Sequence, residues 1–477
     1  MTLAKWTPNG VVLTAVLIVG IPAAVGGLTF ASSKLITLAA VGLLALVLAV
    51  YVGFRHPLWL FWGWAVMLGL LPFGYFPGVH VPLFLPFLAG TIVAAVVHPT
   101  SQRGVHPLEI ALLALVVASA MSVVVTANGL TDWSVFIRWT MATIVVVALA
   151  RLSQADLARF GRVFVYAATL NALFGILMVT ADPGQKFMRI FHIFDYDRVE
   201  TARYAIGDEG RSRTLRLGGT WVDPNGAGIS IGVALVLSIL LLRGKLRAAA
   251  SSLLAVALVL TLSRAAIFSV LAGIVLVLLF HSMGRRTRQT ILGSIVLVAV
   301  IAVSTPFIRT RILSSFGSND FGAADRGKAL AAWPHYMSGH WLFGLGWARR
   351  EFLDGDYSFK FNIVANAPLI AAYRGGMIVG IIFVAVLIIG CVVGYRALRS
   401  DSLPAAMFGG VFIGYCLVGL QLDHPIVHIP QLVMVFSVFL AFLIYLDRER
   451  VAIATSSPGP CIPANVGSPA VNGRAQQ

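Results

Sequence analysis

Charged residues are scarce in this chain. Only 11% of its 477 residues are Asp, Glu, Lys or Arg, whereas 58% are hydrophobic. A soluble protein of this length could not bury so much apolar side chain, because a large share of any globular surface faces water. The composition therefore excludes an ordinary soluble globule and predicts a membrane protein.

Cysteines and soluble-enzyme motifs are also missing or few. Of the three cysteines, Cys391 and Cys416 lie in apolar runs and Cys461 lies near the C-terminus, which excludes an external disulfide framework. There is no phosphate loop, dinucleotide fingerprint or Cys-x-x-Cys pair. His335 and His340 have no third ligand near them in the sequence, so we expect no metal site and no cofactor.

Apolar runs long enough to cross a bilayer recur along the whole chain. We predict an all-α, polytopic transmembrane helix bundle of about 12–14 spans, with two long outer-face loops, the second of them partly helical. The predicted spans lie near residues 11–31, 35–53, 58–72, 83–97, 107–126, 134–150, 160–180, 225–242, 248–262, 265–281, 289–306, 365–395, 404–421 and 430–446. These divide the chain into N-terminal spans (1–180), a first long loop (181–224), central spans (225–306), a second long loop (307–364), C-terminal spans (365–450) and a disordered tail (451–477).

The net charge of +16 follows from where the basic residues lie. They concentrate in alternate loops, as the positive-inside rule describes for cytoplasmic loops. This placement predicts that both termini are cytoplasmic and that nucleic acid is not a partner. The basic loop residues are Arg55, Arg103, Arg151, Arg159, Arg162, Arg243, Lys245, Arg247, Arg285, Arg286, Arg288, Arg396 and Arg399.

The first long loop ends in an arginine cluster formed by Arg211, Arg213 and Arg216. Arginine forks bind phosphate oxygens in a bidentate manner, so the cluster favours an anionic ligand on the outer face. A solvated loop that is merely rich in arginine is the alternative.

The second long loop combines aromatic and apolar residues at helical spacing. We interpret Trp333, Trp341 and Trp347 as an aromatic belt at the membrane interface. The spacing predicts a helix lying on the membrane surface.

Two arginines lie at the edge of a predicted span or inside one, where a charge is expensive. Arg264 begins a span at the outer face, and Arg374 lies inside the span that follows the second loop. The Gly375-Gly376 pair after Arg374 predicts a helix break where this side chain faces a cavity. Snorkelling to the interface is the alternative for both arginines.

Four short motifs together resemble the O-antigen ligase and O-antigen polymerase superfamily of bacterial membrane proteins. Gly218–Asn225 (Gly-Gly-Thr-Trp-Val-Asp-Pro-Asn) is similar to the family's Gly-x-x-x-Asn-Pro-Asn, and Thr261–Arg264 is similar to its Thr-x-Ser-Arg. His340–Gly346 resembles its His-Pro-Leu-x-Gly-x-Gly, and Ala365–Leu369 with Gly376 resembles its His-Asn-x-x-Leu and downstream Gly. The motifs occur in the family's order over roughly residues 200–390.

Two positions depart from the family pattern. Ala365 stands where the family usually has histidine, and Arg374 stands where it usually has glutamate. The external histidines that could substitute are His335, His340 and His424.

The resemblance implies a metal-independent glycosyltransferase of the bacterial inner membrane. It would move a glycan from an isoprenoid diphosphate donor to a glycan or lipid-glycan acceptor at the outer face, as a polysaccharide ligase or polymerase does. We assign catalysis to Arg264, Arg326 and one of His335 or His340. Substrate binding falls to Arg211, Arg213, Arg216, Asp223, Asn225, Asn366 and Arg374, where Asp223 and Asn225 either bind sugar hydroxyls or cap the helix that starts there.

Two other functions fit the sequence less well. A transporter or flippase for a lipid-linked or anionic solute would use the arginines to line a passage, but few ionisable groups lie at mid-span. A glycosyltransferase that uses isoprenoid monophosphate sugars usually has acidic residues in its first outer loop. Here that loop is Thr29 to Lys34, which contains no acid.

Overall fold

In the computed structural model, the protein is a bundle of long apolar helices. The structure describes residues 51–77, 81–98, 104–182, 184, 186–196, 204–206, 213–304, 309, 321–349, 366–420 and 429–456. The predicted spans near 11–31 and 35–53 lie outside these residues, except for the helical turn at 51–55, and so do residues 457–477 of the tail.

The helices are numbered in chain order within the described residues. They are α1 Pro57–Leu70, α2 Phe84–Val97, α3 Pro107–Thr126, α4 Leu130–Ala150, α5 Gln154–Ala181, α6 Pro224–Leu241, α7 Gly244–Leu260, α8 Arg264–Phe280, α9 Arg285–Ser304, α10 Phe321–Met337, α11 Ala367–Gly375, α12 Met377–Leu398, α13 Leu403–Gly414 with a π-helical turn Tyr415–Gly419, and α14 Pro430–Ser456. Short 3-10 helices span Lys186–Phe194 and Gly219–Trp221.

The length and composition of these helices indicate a membrane protein. Six of the described helices, α3, α4, α5, α6, α12 and α14, are long and apolar enough to cross a bilayer, and α1, α2, α8 and α13 are shorter apolar helices. Helix starts agree with the predicted spans because local signals set them. Proline, which is favoured in the first helical turn, opens α1, α3, α6 and α14.

Two features differ from the predicted all-α bundle. The first long loop contains a two-stranded antiparallel sheet, in which β1 Tyr204–Ile206 pairs with β2 Arg213–Leu215. The single predicted span 365–395 is instead two helices, α11 and α12, separated at Gly376 with φ 86°. The predicted helix break after Arg374 is therefore confirmed.

The bundle has two chemically different ends, since short connections make successive helices antiparallel. We call one the basic end, where α1, α3, α5, α7, α9 and α13 begin. We call the other the loop end, where α2, α4, α6, α8, α11, α12 and α14 begin and the two long loops attach. The cationic residues of the basic end include Arg55, Arg151, Arg159, Arg243, Lys245, Arg247, Arg285, Arg286, Arg396, Arg399 and Arg448.

Helices α6 and α14 form the centre of the bundle. They are the most enclosed of the six long apolar helices described. In their apolar stretches, 78% and 83% of the residues are buried inside the protein. Helix α14 packs on α4, α6 and α12, and Ser437 on α14 donates to the carbonyl of Ala142 on α4 at 2.7 Å. The start of α6 is therefore surrounded by protein on most sides.

A buried ionic cluster closes the basic end. Glu109 on α3 is 0% exposed and accepts from Arg448 on α14 at 2.7 Å, while Arg151 lies 3.5 Å from its other oxygen. Arg448 also donates to the carbonyl of Ala150 at 2.7 Å, and the backbone N–H of His106 donates to Glu109 at 3.2 Å. These contacts tie together the ends of α3, α4 and α14.

We expect Arg448→Ala to destabilise the bundle strongly. Removing one partner of a buried pair leaves a carboxylate without its main counter-charge, which costs about 3–5 kcal/mol. Thermal unfolding of the detergent-solubilised protein measures the change. Arg159→Ala is the matched control, because Arg159 is 57% exposed and its ion pair within the described part of the chain is with Asp156 on its own helix, so its loss should cost under about 1 kcal/mol. Equal shifts for the two variants would contradict the structural role of the cluster.

Candidate functional site

The end of the first long loop meets the starts of α6 and α8. Arg216 follows β2 directly, and its Nε donates to the carbonyl of Thr261 at 3.0 Å while its Nη2 donates to Oδ1 of Asn225 at 2.7 Å. The neighbouring backbone N–H of Leu217 donates to the carbonyl of Leu260 at 3.0 Å. One side chain thus joins the Gly218–Asn225 segment to the Thr261–Arg264 segment, 45 residues away along the chain.

A side chain caps the N-terminus of each of the two helices, α6 and α8, that meet the first long loop. Asp223 caps α6 by accepting from the backbone N–H of Gly226 at 3.0 Å, and Ser263 caps α8 by accepting from Ala266 at 3.4 Å. The hydroxyl of Thr261 accepts from the backbone N–H of Ser263 at 3.2 Å. Of the two roles proposed for Asp223, the structure shows the cap. We call Arg216, Asp223, Asn225, Thr261, Ser263 and Arg264 the Arg216 group.

A glycine allows the two helix starts to touch. A Cβ at Gly228 on α6 would lie 2.8 Å from Cβ of Ala266 and 2.9 Å from Cβ of Ser263 on α8. The N-terminal ends of both helices therefore lie side by side at the loop end. A helix N-terminus carries partial positive charge, so two adjacent N-termini favour an anion there. At α6 the carboxylate of Asp223 already lies in that position, and at α8 the hydroxyl of Ser263 takes one N–H.

The first loop is anchored to the bundle beneath the Arg216 group. The backbone N–H of Thr220 donates to Oδ1 of Asn171 on α5 at 3.0 Å, and its hydroxyl donates to the carbonyl of Leu70 at 2.5 Å. Tyr196 is buried nearby, where its oxygen accepts from the backbone N–H of Phe73 at 3.2 Å. Burial raises the pKa of the Tyr196 hydroxyl above its usual range, so this phenol stays protonated and is not a base.

The second long loop docks on the break between α11 and α12. Backbone N–H groups of Leu345 and Met377 donate to the carbonyls of Tyr373 and Trp341, both at 2.8 Å. A Cβ at Gly376 would overlap the carbonyl of Leu342, so only glycine fits this contact. We call residues 340–348 with α11 and the start of α12 the Gly376 junction.

Arg374 belongs to this junction. Its side chain is 5% exposed and its Nη1 donates to the carbonyl of Trp347 at 2.8 Å. Asn366 caps α11 by accepting from the backbone N–H of Leu369 at 3.1 Å. These contacts place Arg374 and Asn366 in the Gly376 junction, at the same end of the bundle as the Arg216 group.

The predicted aromatic belt is wrong for two of its three tryptophans. Trp347 is 0% exposed, with its ring centroid 4.4 Å from that of Trp139 on α4, and Trp333 is also buried. Trp341 is 43% exposed. The reason is that the second loop folds back onto α4 and α11, and the large rings fill that contact.

The remaining predicted residues lie elsewhere or outside the described part of the chain. His335, on α10, and His340, just after it, are both exposed. Arg213 lies in β2 and Arg326 in α10. Arg211, Ala365 and His424 lie outside the described residues.

Two residues that shape the site were not predicted from the sequence. Asn171 supports the first loop from α5, and Asp132 on α4 accepts from the backbone N–H of Ala348 at 2.8 Å. An asparagine in the middle of an apolar run is an unusual signal that could have drawn attention to Asn171. Asp132 follows the short connection between α3 and α4, where an acid is ordinary, so the sequence gives no sign of its partner.

No protein-family model and no curated protein matches this chain. What the site can do is therefore argued from its geometry. The Arg216 group combines two arginines, two adjacent helix N-termini, an amide and one carboxylate, that of Asp223, at the loop end. The two arginines exceed the single carboxylate in charge. That arrangement suits a negatively charged ligand such as a diphosphate. In the described residues, no group of three or more metal-ligating side chains occurs.

We expect Gly228→Ala to separate the two helix starts and lower stability. The added methyl meets Ala266 and Ser263 too closely, and such overpacking costs about 1–3 kcal/mol. Gly232→Ala is a control one turn along the same helix, because its Cβ would meet only Val270 at 3.7 Å. Thermal unfolding should show the control unchanged or stabilised, since alanine favours helix by about 1 kcal/mol over glycine. A Gly228→Ala protein as stable as the control would contradict the close contact.

We expect Gly376→Ala to release the second loop from the Gly376 junction. The substitution places a methyl against the carbonyl of Leu342 at a backbone with positive φ. Gly339→Ala is the control, because Gly339 also has positive φ (80°) but no atom lies within 4 Å of its would-be Cβ. Limited proteolysis between 338 and 349 should become faster in Gly376→Ala and change much less in Gly339→Ala. Equal cleavage rates in the two variants would contradict the role of the contact, because the backbone strain that alanine introduces at both positions would then explain the change.

Proposed function

We propose that this protein is a membrane glycosyltransferase of the O-antigen ligase-like type. It transfers a glycan from an isoprenoid diphosphate to a hydroxyl of a second glycan or lipid-glycan at the outer face of the bacterial inner membrane. The observation that carries the proposal is the joining of the Gly218–Asn225 and Thr261–Arg264 motifs by Arg216 at two adjacent helix N-termini. These are two of the four motifs on which the family resemblance depends.

The Arg216 group fits the chemistry of the leaving group. As the anomeric C–O bond breaks, its electron pair leaves with the diphosphate, and negative charge grows on the phosphate oxygens. Positive groups held in place at that point lower the energy of the transition state. Arg264 at the start of α8, Arg216 and the N–H groups of α6 and α8 supply such positive charge without a metal.

The acceptor hydroxyl forms the new glycosidic bond through its oxygen. Its oxygen attacks the anomeric carbon, and its proton passes to a general base. We assign the base to His340 or His335, since both are exposed on the segment that leads into the Gly376 junction. Arg374 also holds that segment against α11, because its Nη1 donates to the carbonyl of Trp347, while Asn366 caps α11.

The placement of charge agrees with this assignment of faces. By the positive-inside rule, the basic end is cytoplasmic and the loop end is external, which puts the Arg216 group where an exported lipid-linked glycan is available.

We expect Arg264→Gln to reduce glycan transfer by about 10²–10³-fold in kcat, the usual effect of removing one group that stabilises transition-state charge. The protein is reconstituted in liposomes with an isoprenoid diphosphate-linked glycan and a candidate acceptor, and released lipid diphosphate is measured. Arg264→Lys should retain part of the activity, because it keeps the charge but loses the planar fork.

Arg243→Gln is the matched control, because it removes one exposed arginine at the basic end and should leave the rate unchanged. Thermal unfolding of each variant shows whether the fold is intact. Movement of the lipid-linked substrate across the membrane without any glycan transfer would support a transporter and overturn the proposal, as would full activity in Arg264→Gln.

A further inference from the structure

A cleft opens at the basic end of the bundle, far along the helices from the Arg216 group. It has a volume of about 430 Å³ and lies between the ends of α1, α2, α4 and α5, a size that accommodates small ligands. Its buried lining is apolar and includes Phe61, Ala94, Ala148 and Leu152. The proposed glycosyl transfer makes no use of this cleft.

The rim of the cleft is cationic. Arg55 is exposed and Arg151 is partly exposed, and both line the opening. The acid among the lining residues is Asp156, whose carboxylate accepts from the hydroxyl of Ser153 at 2.6 Å and from Arg159 at 3.3 Å. The charge of Asp156 is therefore largely compensated locally, and that of Arg151 is compensated by Glu109 at 3.5 Å. The exposed Arg55 is thus the cation by which the rim favours an anion.

Two buried polar atoms of the lining have no hydrogen-bond partner among the described residues. They are Nε1 of Trp62 and Nε2 of His98. A buried polar group without a partner costs about 1–3 kcal/mol, so such atoms call for an explanation. Because an indole N–H can only donate, a ligand that satisfies Trp62 must offer an acceptor oxygen.

The surroundings of the cleft indicate that the ligand is a lipid. Trp59 is 56% exposed and its ring stacks on that of His56 at 4.9 Å, an arrangement typical of side chains at the membrane interface. An apolar lining below a cationic rim matches a molecule with a phosphate head and a hydrocarbon chain. Basic pockets between spans at the cytoplasmic side bind anionic headgroups for the same reason.

We propose that this cleft binds an anionic phospholipid of the inner leaflet, with its phosphate at Arg55 and Trp62 and an acyl chain along Phe61 and Ala148. The proposal stands apart from the glycosyl transfer at the loop end and does not depend on it. A free anion such as inorganic phosphate shares the headgroup chemistry, but it would leave the apolar lining unfilled.

The test compares retained lipids on the purified full-length chain by native mass spectrometry, with phosphatidylglycerol or phosphatidylcholine supplied in turn. We expect phosphatidylglycerol to be retained at least about tenfold more strongly, and Trp62→Phe to remove about one charge-assisted hydrogen bond, which lowers that retention roughly tenfold. Arg55→Gln should act in the same direction. Arg151 is left intact, since its loss would also disturb the buried Glu109.

Matched controls lie away from the cleft. Arg243→Gln removes an exposed charge from the same end, and Trp133→Phe removes an indole N–H at the loop end, so both should retain phosphatidylglycerol like the native protein. Thermal unfolding of Trp62→Phe is the check that the fold is kept, and its midpoint should match that of the native protein.

Equal retention of the two lipids, or an equal loss in Arg243→Gln and Arg55→Gln, would overturn the proposal, because either result means that no specific headgroup site exists. Displacement of the lipid by millimolar sodium phosphate would also overturn it, because the cleft would then take a free anion.

Discussion

A chain that crosses a lipid bilayer must satisfy its backbone hydrogen bonds within the protein, since lipid offers none. Helices do this along their length, but the irregular segments at the loop end must find partners elsewhere. Leu217 pairs with Leu260, and Met377 pairs with Trp341 across the gap between α11 and α12. Backbone hydrogen bonding thus attaches the described ends of the two long loops to the bundle, and the positions of Arg216 and Arg374 depend on that attachment.

Arginine has different tasks at the two ends of the molecule. At the basic end, Arg448 compensates a carboxylate that is fully buried on α3. At the loop end, Arg216 and Arg374 donate to backbone carbonyls of irregular segments. The first use holds helices together through opposite charge, whereas the second holds loop segments in place through hydrogen bonds to neutral carbonyls. A count of arginines in the sequence cannot separate these uses.

The sequence predicts the helices of this protein well, because apolar length and proline at helix starts are local signals. The predicted span 107–126 has the same bounds as α3, and the break after Arg374 was predicted from two glycines. Long-range contacts were not predictable. Glu109 and Arg448 are 339 residues apart, and Trp347 is buried only because its loop folds onto α4. The motif residues were found from the sequence, but not their contacts, such as that of Arg216 with the carbonyl of Thr261 or of Arg374 with the carbonyl of Trp347.

Gly228 affects the free energy of placing a negative charge at the starts of α6 and α8. In water, gathering charge at one point requires solvent dipoles to turn, and this reorganisation accounts for much of the work. The contact of Gly228 with Ser263 and Ala266 fixes the peptide dipoles of α6 and α8 relative to each other before any ligand arrives. The proposed anion would meet peptide dipoles that are already oriented. This glycine, which carries no functional group, would therefore reduce the rearrangement of dipoles that binding requires.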